Sequence, residues 1–172
     1  RVNYVGEKVI KDMYKKFVAP RGTRGKVLKP FIQKANLPSA AIFDLDGTLA
    51  CIGDRSPYDG KACGVDKVNV SVKKLLDAVK AQGHEIIIFS GRNGDSINET
   101  EAWLKANDIH YDLISMRPAG DFRKDNVIKH EMFNRYIKDQ YNVLFVVDDR
   151  DQVVNLWRSL GLTCLQVAPG DF

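Results

Sequence analysis

The sequence predicts an α/β protein with a parallel sheet of about five strands and helices on both faces. Three observations carry this. From residue 40 onward, β-rich apolar runs alternate with segments of helical period. Runs such as Ile86-Ile-Ile-Phe89 are continuously apolar, as suits strands buried on both faces. Acidic and polar residues cluster just after the strands, where open parallel sheets place their sites.

The strands are expected at Ala40–Asp44, Glu85–Phe89, Tyr111–Met116, Val143–Val147 and Leu162–Val167, and the helices near 71–82, 97–107, 125–139 and 151–160. Ahead of them, Val9, Ile10, Met13, Tyr14 and Phe17 recur at helical spacing, and Pro20, Gly22 and Gly25 then break the pattern. Residues 1–39 are thus expected to be a helix and a basic linker, and 40–172 a single catalytic domain. Residues 1–40 carry ten Lys/Arg against two acids, a net +8, while the remainder carries 16 against 20, a net −4. The lysines of the first segment form a solvated or partner-docking face, or a nucleic-acid contact. Gly22-Thr-Arg-Gly25-Lys26 lacks P-loop spacing, a preceding strand and the Ser/Thr, and is no P-loop.

Of 172 residues, 44% are hydrophobic and 28% charged, values of a soluble globular chain. No apolar run approaches the ~20 residues of a membrane span. No signal peptide is visible, and a chain starting at Arg1 is expected to be a piece of something longer. Cys51, Cys63 and Cys164 have no CxxC spacing, which points away from zinc or disulfides and toward a reducing, cytoplasmic compartment. A homo-oligomer is compatible with this composition.

The chemistry lies at three strand ends: Asp44-Leu-Asp46-Gly47-Thr48, Ser90-Gly91-Arg92 and Asp148-Asp149-Arg150. Four carboxylates converging in a small volume repel, and a hard cation with oxygen ligands, Mg²⁺, relieves that repulsion. Asp44 at a strand end and Asp46 two residues on make a nucleophile and an acid/base. Ser90 can donate to a phosphoryl oxygen, and Arg92 or Arg55 can grip phosphate with a forked guanidinium. Singly, each motif has a plain structural reading: a loop, a common tripeptide, a pair of acids favouring a helix dipole.

Phe43-Asp44-Leu45-Asp46-Gly47-Thr48-Leu49, followed by Ser90, a basic residue near 124–129 and Asp148-Asp149, resembles the four motifs of the haloacid dehalogenase (HAD) superfamily, whose fold is Rossmann-like. The resemblance implies Asp44 as the aspartyl-phosphate nucleophile and Asp46 as general acid/base. It implies Mg²⁺ held by Asp44, Asp148, Asp149 and the Asp46 carbonyl. Lys129 is the chosen phosphate-side lysine, with Lys124 as the alternative. Arg55-Ser-Pro-Tyr58-Asp59, Arg123-Lys124-Asp125, Gln152-Val-Val and the closing Gln166 to Phe172 narrow the likeness to the phosphatase domain of bacteriophage polynucleotide kinase/phosphatases. That family implies removal of 3′-phosphates from DNA or RNA ends, with Arg55, Arg92 and Asp125 essential and Arg117 and Arg123 as further phosphate contacts. Residues 1–18 resemble the last helix of that family's kinase domain, which implies a kinase upstream. Only a minimal cap is expected, because about 38 residues separate Asp46 from the next sheet strand. The rival enzyme reading is a small-molecule phosphatase of the same superfamily; a non-catalytic module binding nucleic-acid ends is a more distant one.

Overall fold

The computed structural model describes residues 28–170. The expected N-terminal helix, and the linker up to residue 27, lie outside these residues. Five parallel strands run in the order β5-β4-β1-β6-β7: β1 Ser39–Phe43, β4 Glu85–Asn93, β5 Leu113–Arg117, β6 Asn142–Asp148 and β7 Cys164–Gln166. Helices α1 Val70–Ala81, α2 Ile97–Ala106, α3 Asp125–Tyr136 and α4 Asp151–Ser159 connect them.

Alternation along the central strands divides the core into two layers. Ala40, Ile42, Ile87 and Phe89 point to one face, where Ile128, Met132 and Phe133 of α3 and Val153 and Trp157 of α4 cover them. Ala41, Phe43, Ile86 and Ile88 point to the other, under Leu76 of α1 and Trp103 and Leu104 of α2. A strand with helices on both sides has no face left for polar residues, which is why these runs are apolar without a break.

The helices start and stop where local chemistry directs. The Asn69 side chain accepts the Val72 N–H at the start of α1. Val72, Leu76 and Val79 then give the helix its buried stripe. Gly83, at φ +82°, turns the chain out into β4.

Three features depart from the sequence expectation. Residues 28–38, assigned to the linker, pack onto the domain: Phe31 N donates to the Leu160 carbonyl at 2.7 Å, and the Phe31 ring meets Phe133 edge-on at 5.3 Å. Gln33 bonds both the N–H and the carbonyl of Val143. A two-stranded antiparallel hairpin, β2 Ala50–Cys51 with β3 Lys67–Val68, was not foreseen, and a 3₁₀ turn over Gly60–Val65 lies inside it. Strand β4 continues past Phe89 to Asn93, which pairs with Arg117 beyond an irregularity in the register. The hairpin segment is the whole insertion after β1, so the cap is minimal. Among the described residues no helix is long and apolar enough to cross a membrane.

Candidate active site

Strand β1 ends at Phe43, and the next amide is still tied to the sheet, with Asp44 N donating to the Val147 carbonyl at 2.9 Å. Leu45 is fully buried, and Asp44 and Asp46 on either side of it both line one cleft. Gly47 turns the loop at φ +84°, and a Cβ there would collide with the Asp149 carboxylate. Only glycine meets both demands.

Asp44, Asp148 and Asp149 are buried, and one oxygen of each lies within 4.8 Å of the others. Lys129 reaches in from α3 and is 1% exposed. Its Nζ lies 2.8 Å from Asp44 Oδ1 and donates to Asp148 Oδ2 at 2.9 Å. Burial alone would lower its pKa, but the carboxylates of Asp148, Asp44 and Asp125 overcome that and raise it, so the ammonium stays charged. Burial pushes the Asp44 carboxyl well above the usual range; Lys129 opposes this, and the charges of Asp148, Asp125 and Asp149 add to it. Asp149 is raised by burial and by Asp148. Lys129 thus pairs with two of the three clustered acids, Asp44 and Asp148, and lies 4.0 Å from a fourth buried carboxylate, Asp125. An all-oxygen, hard donor set with this deficit of positive charge fits Mg²⁺. Thr48 Oγ1 donates to Asp149 and Trp157 Nε1 to Asp148, fixing the two carboxylates.

The Asp46 side chain points elsewhere, into an arginine clamp. Arg92 donates to it through Nε at 3.0 Å and Nη2 at 2.5 Å, and Arg55 through Nη2 at 2.8 Å. Any share of Asp46 in a cation site therefore falls to its carbonyl. Arg92 is 4% exposed and also donates to Thr100. Arg55 is held by Asp66 at 2.8 and 2.5 Å. Ser90 is buried, and its Oγ accepts the Arg92 N–H at 3.1 Å.

On the other side of the cleft, Arg117 donates to Asp125 Oδ1 at 3.1 Å and to the Gly91 carbonyl at 2.8 Å. Arg150 Nη1 lies 3.6 Å from Asp125 Oδ2. Asp125 is the first residue of α3, and a Cβ on Gly91 would strike its carboxylate. Arg123 borders the cleft, but its guanidinium bonds Asp121 and Glu131 and holds Asp121 down at about 2. Lys124 is exposed on the cleft wall, whereas Lys129 touches Asp44.

The structure therefore gathers Asp44, Lys129, Asp148 and Asp149 into one cluster and Asp46, Arg55 and Arg92 into a second beside it. Each arginine expected at phosphate is engaged by the protein's own carboxylates. Sequence reasoning missed Asp66, which is buried beneath Arg55, and Trp157. Asp66 follows no strand of the main sheet, so position gave no signal for it.

An α/β sheet that gathers buried carboxylates from adjacent strand ends around one lysine is the architecture of a HAD-type phosphatase domain. Residues 38–172 match the family described as the polynucleotide kinase PNKP phosphatase domain, and the chain belongs to that family. It is 36% identical over 154 residues to a putative bifunctional polynucleotide kinase/RNA ligase of Autographa californica nuclear polyhedrosis virus, covering 88% of this chain and 22% of the viral protein. A chain in the structure of the Pnkp1/Rnl/Hen1 RNA repair complex is 40% identical, with a TM-score of 0.81 over 96% of this chain and 54% of that one. A chain from a second Pnkp1/Rnl/Hen1 complex is 36% identical, also at 0.81, over 95% of this chain and 61% of its own. The chain thus spans less than two thirds of each of these relatives.

Proposed function

We propose that this chain is a Mg²⁺-dependent polynucleotide 3′-phosphatase that works through an aspartyl-phosphate on Asp44. The observation that carries the reading is Asp44 itself: buried at the cleft floor, bonded by Lys129, beside Asp148 and Asp149, with Asp46 two residues on facing the same cleft.

In the first step an Asp44 oxygen attacks phosphorus. The bond from phosphorus to the 3′ oxygen breaks, and that oxygen takes a proton from Asp46. In the second, Asp46 removes a proton from water, which attacks the same phosphorus; the bond to Asp44 breaks and inorganic phosphate leaves. Lys129 keeps Asp44 oriented and offsets charge on the transferred group. Asp44, Asp148, Asp149 and the Asp46 carbonyl would hold Mg²⁺, which when bound supplies charge neutralisation for the phosphoryl oxygens.

The arginines have a double part. Arg55 and Arg92 bond the Asp46 carboxylate, and when a strand end enters their forks exchange to phosphate, which frees Asp46 to take up the proton it gives to the 3′ oxygen. Arg117 and Arg123 would supply countercharge to a phosphate of the strand, with Asp125 setting the direction of Arg117. The family's printed description, and the RNA repair setting of the solved relatives, support nucleic-acid ends as substrate. A longer protein carrying a kinase upstream fits the kinase named in the viral relative. Residues 1–39 would then be the tail of that kinase and its link to the phosphatase domain at 40–172. A cytoplasmic enzyme with reduced thiols fits the three free cysteines.

The test is Asp44→Asn, which keeps the shape and removes the nucleophile. Phosphate release should fall to background, and borohydride should trap an acyl-phosphate at Asp44 in the unaltered protein only. A variant retaining a tenth of the activity would overturn the covalent route.

A further inference from the structure

Two large aromatic side chains, Tyr58 and Phe122, are each 94% exposed, and both border the cleft that holds Asp44. A single exposed aromatic is ordinary. These two lie on separate loops, one in the hairpin insertion after β1 and one between β5 and α3, and both reach the same cleft.

Each loop is braced around its ring in the same way. Arg55 Nη1 donates to the carbonyls of Ser56 and Asp59, at 3.0 and 3.1 Å, on either side of Tyr58. Arg117 Nη1 donates to the carbonyls of Asp121 and Arg123, at 3.2 and 2.6 Å, on either side of Phe122. The bracing arginines also bond Asp46 and Asp125, so each ring is tied to the phosphate-handling centre. Backbone fixed on both sides of a fully exposed ring is preorganised for a ligand that covers it. The cleft, of about 380 Å³, suits the end of a chain rather than a folded partner.

We propose that Tyr58 and Phe122 stack on the nucleobases at a single-stranded polynucleotide end and so hold its 3′-phosphate over Asp44. This rests on the 3′-phosphatase reading above. Every base has a flat π face, so stacking is indifferent to sequence, as end processing requires. A base already paired and stacked in a duplex has less face to offer, which makes unpaired ends the preferred substrate.

The test uses two 3′-phosphorylated strands of the sugar type turned over faster, identical except that one ends in abasic residues. For the unaltered protein the abasic strand, which loses both stacks, should show KM raised about a hundredfold and kcat little changed. Tyr58→Ala and Phe122→Ala should each raise KM about tenfold on the base-bearing strand and hardly at all on the abasic one. Tyr58→Phe, which keeps the ring, should behave as the unaltered protein. Both sites are exposed, so the fold survives these changes. If the unaltered protein releases no phosphate from either strand, the 3′-phosphatase reading fails and the stacking role with it. If it turns over both strands with equal KM, or the Ala variants lose equally on both, the stacking role alone is overturned.

Discussion

Lys129 Nζ sits between Asp44 and Asp148, and removing it would leave two buried carboxylates without their countercharge. Lys129→Met keeps the apolar stem and deletes the ammonium. It should cost about 3–5 kcal/mol of stability at neutral pH and abolish activity, because breaking a buried pair strands the partner's charge. Lys124→Met, on the exposed wall, should stay within about 0.5 kcal/mol. Urea denaturation of the two variants checks this; equal effects would contradict the assignment of Lys129. At this scale the acids were legible, because strand-end positions are visible in the apolar pattern before them. The directions of the arginines were not. Whether Arg55 faces solvent or Asp46 depends on Asp66, 11 residues away, and no local pattern reports such a pairing.

The main sheet was readable because burial on both faces writes an unbroken apolar run into every central strand. The hairpin β2–β3 was not, since two-residue strands carry no period. Residues 28–38 read as linker because Pro20, Gly22 and Gly25 end the helical repeat ahead of them within a basic stretch, yet Leu28 and Phe31 are core contacts. The start of β5 was also read two residues too early, at Tyr111 rather than Leu113, and Asp112 explains the difference. Its carboxylate receives Lys80 Nζ from the end of α1, at 2.5 Å, and the Ile86 N–H of β4, at 2.8 Å. Burial works to raise its pKa, but the bonds from Lys80 and Ile86 outweigh it and hold Asp112 below the usual range. A depressed carboxylate contributes stability above its unfolded pKa and loses it as pH falls through the folded one. Asp112→Ala should therefore cost about 1–2 kcal/mol at pH 7. The deficit should shrink once pH falls below the ordinary Asp value of about 3.9. Urea midpoints across pH check the sign; a deficit that grows in acid would contradict it.

As a whole the molecule places its thiols and its acids in different surroundings. Cys51 is exposed, Cys63 is fully buried, and burial together with Asp148 pushes the Cys164 thiol up to about 12. Iodoacetamide on the folded protein should label Cys51 alone, with all three modified after denaturation; mass spectrometry counts them, and early labelling of Cys164 would contradict the packing under α4. The acidic cluster should also answer to metal across the whole fold. Mg²⁺ that binds only the native state should stabilise it by about 2.7 kcal/mol at a hundred times its Kd. Asp148→Ala and Asp149→Ala should abolish that gain in melting temperature, and excess chelator should stop turnover. Undiminished activity in chelator would remove the cation from the account. The most direct measurement of the central claim is phosphate release from matched oligonucleotides carrying a single phosphate at the 3′ or the 5′ end, in Mg²⁺. Rapid release is expected from the 3′ end and near-silence at the 5′ end. Equal rates at both would contradict it and favour a small-molecule phosphatase instead.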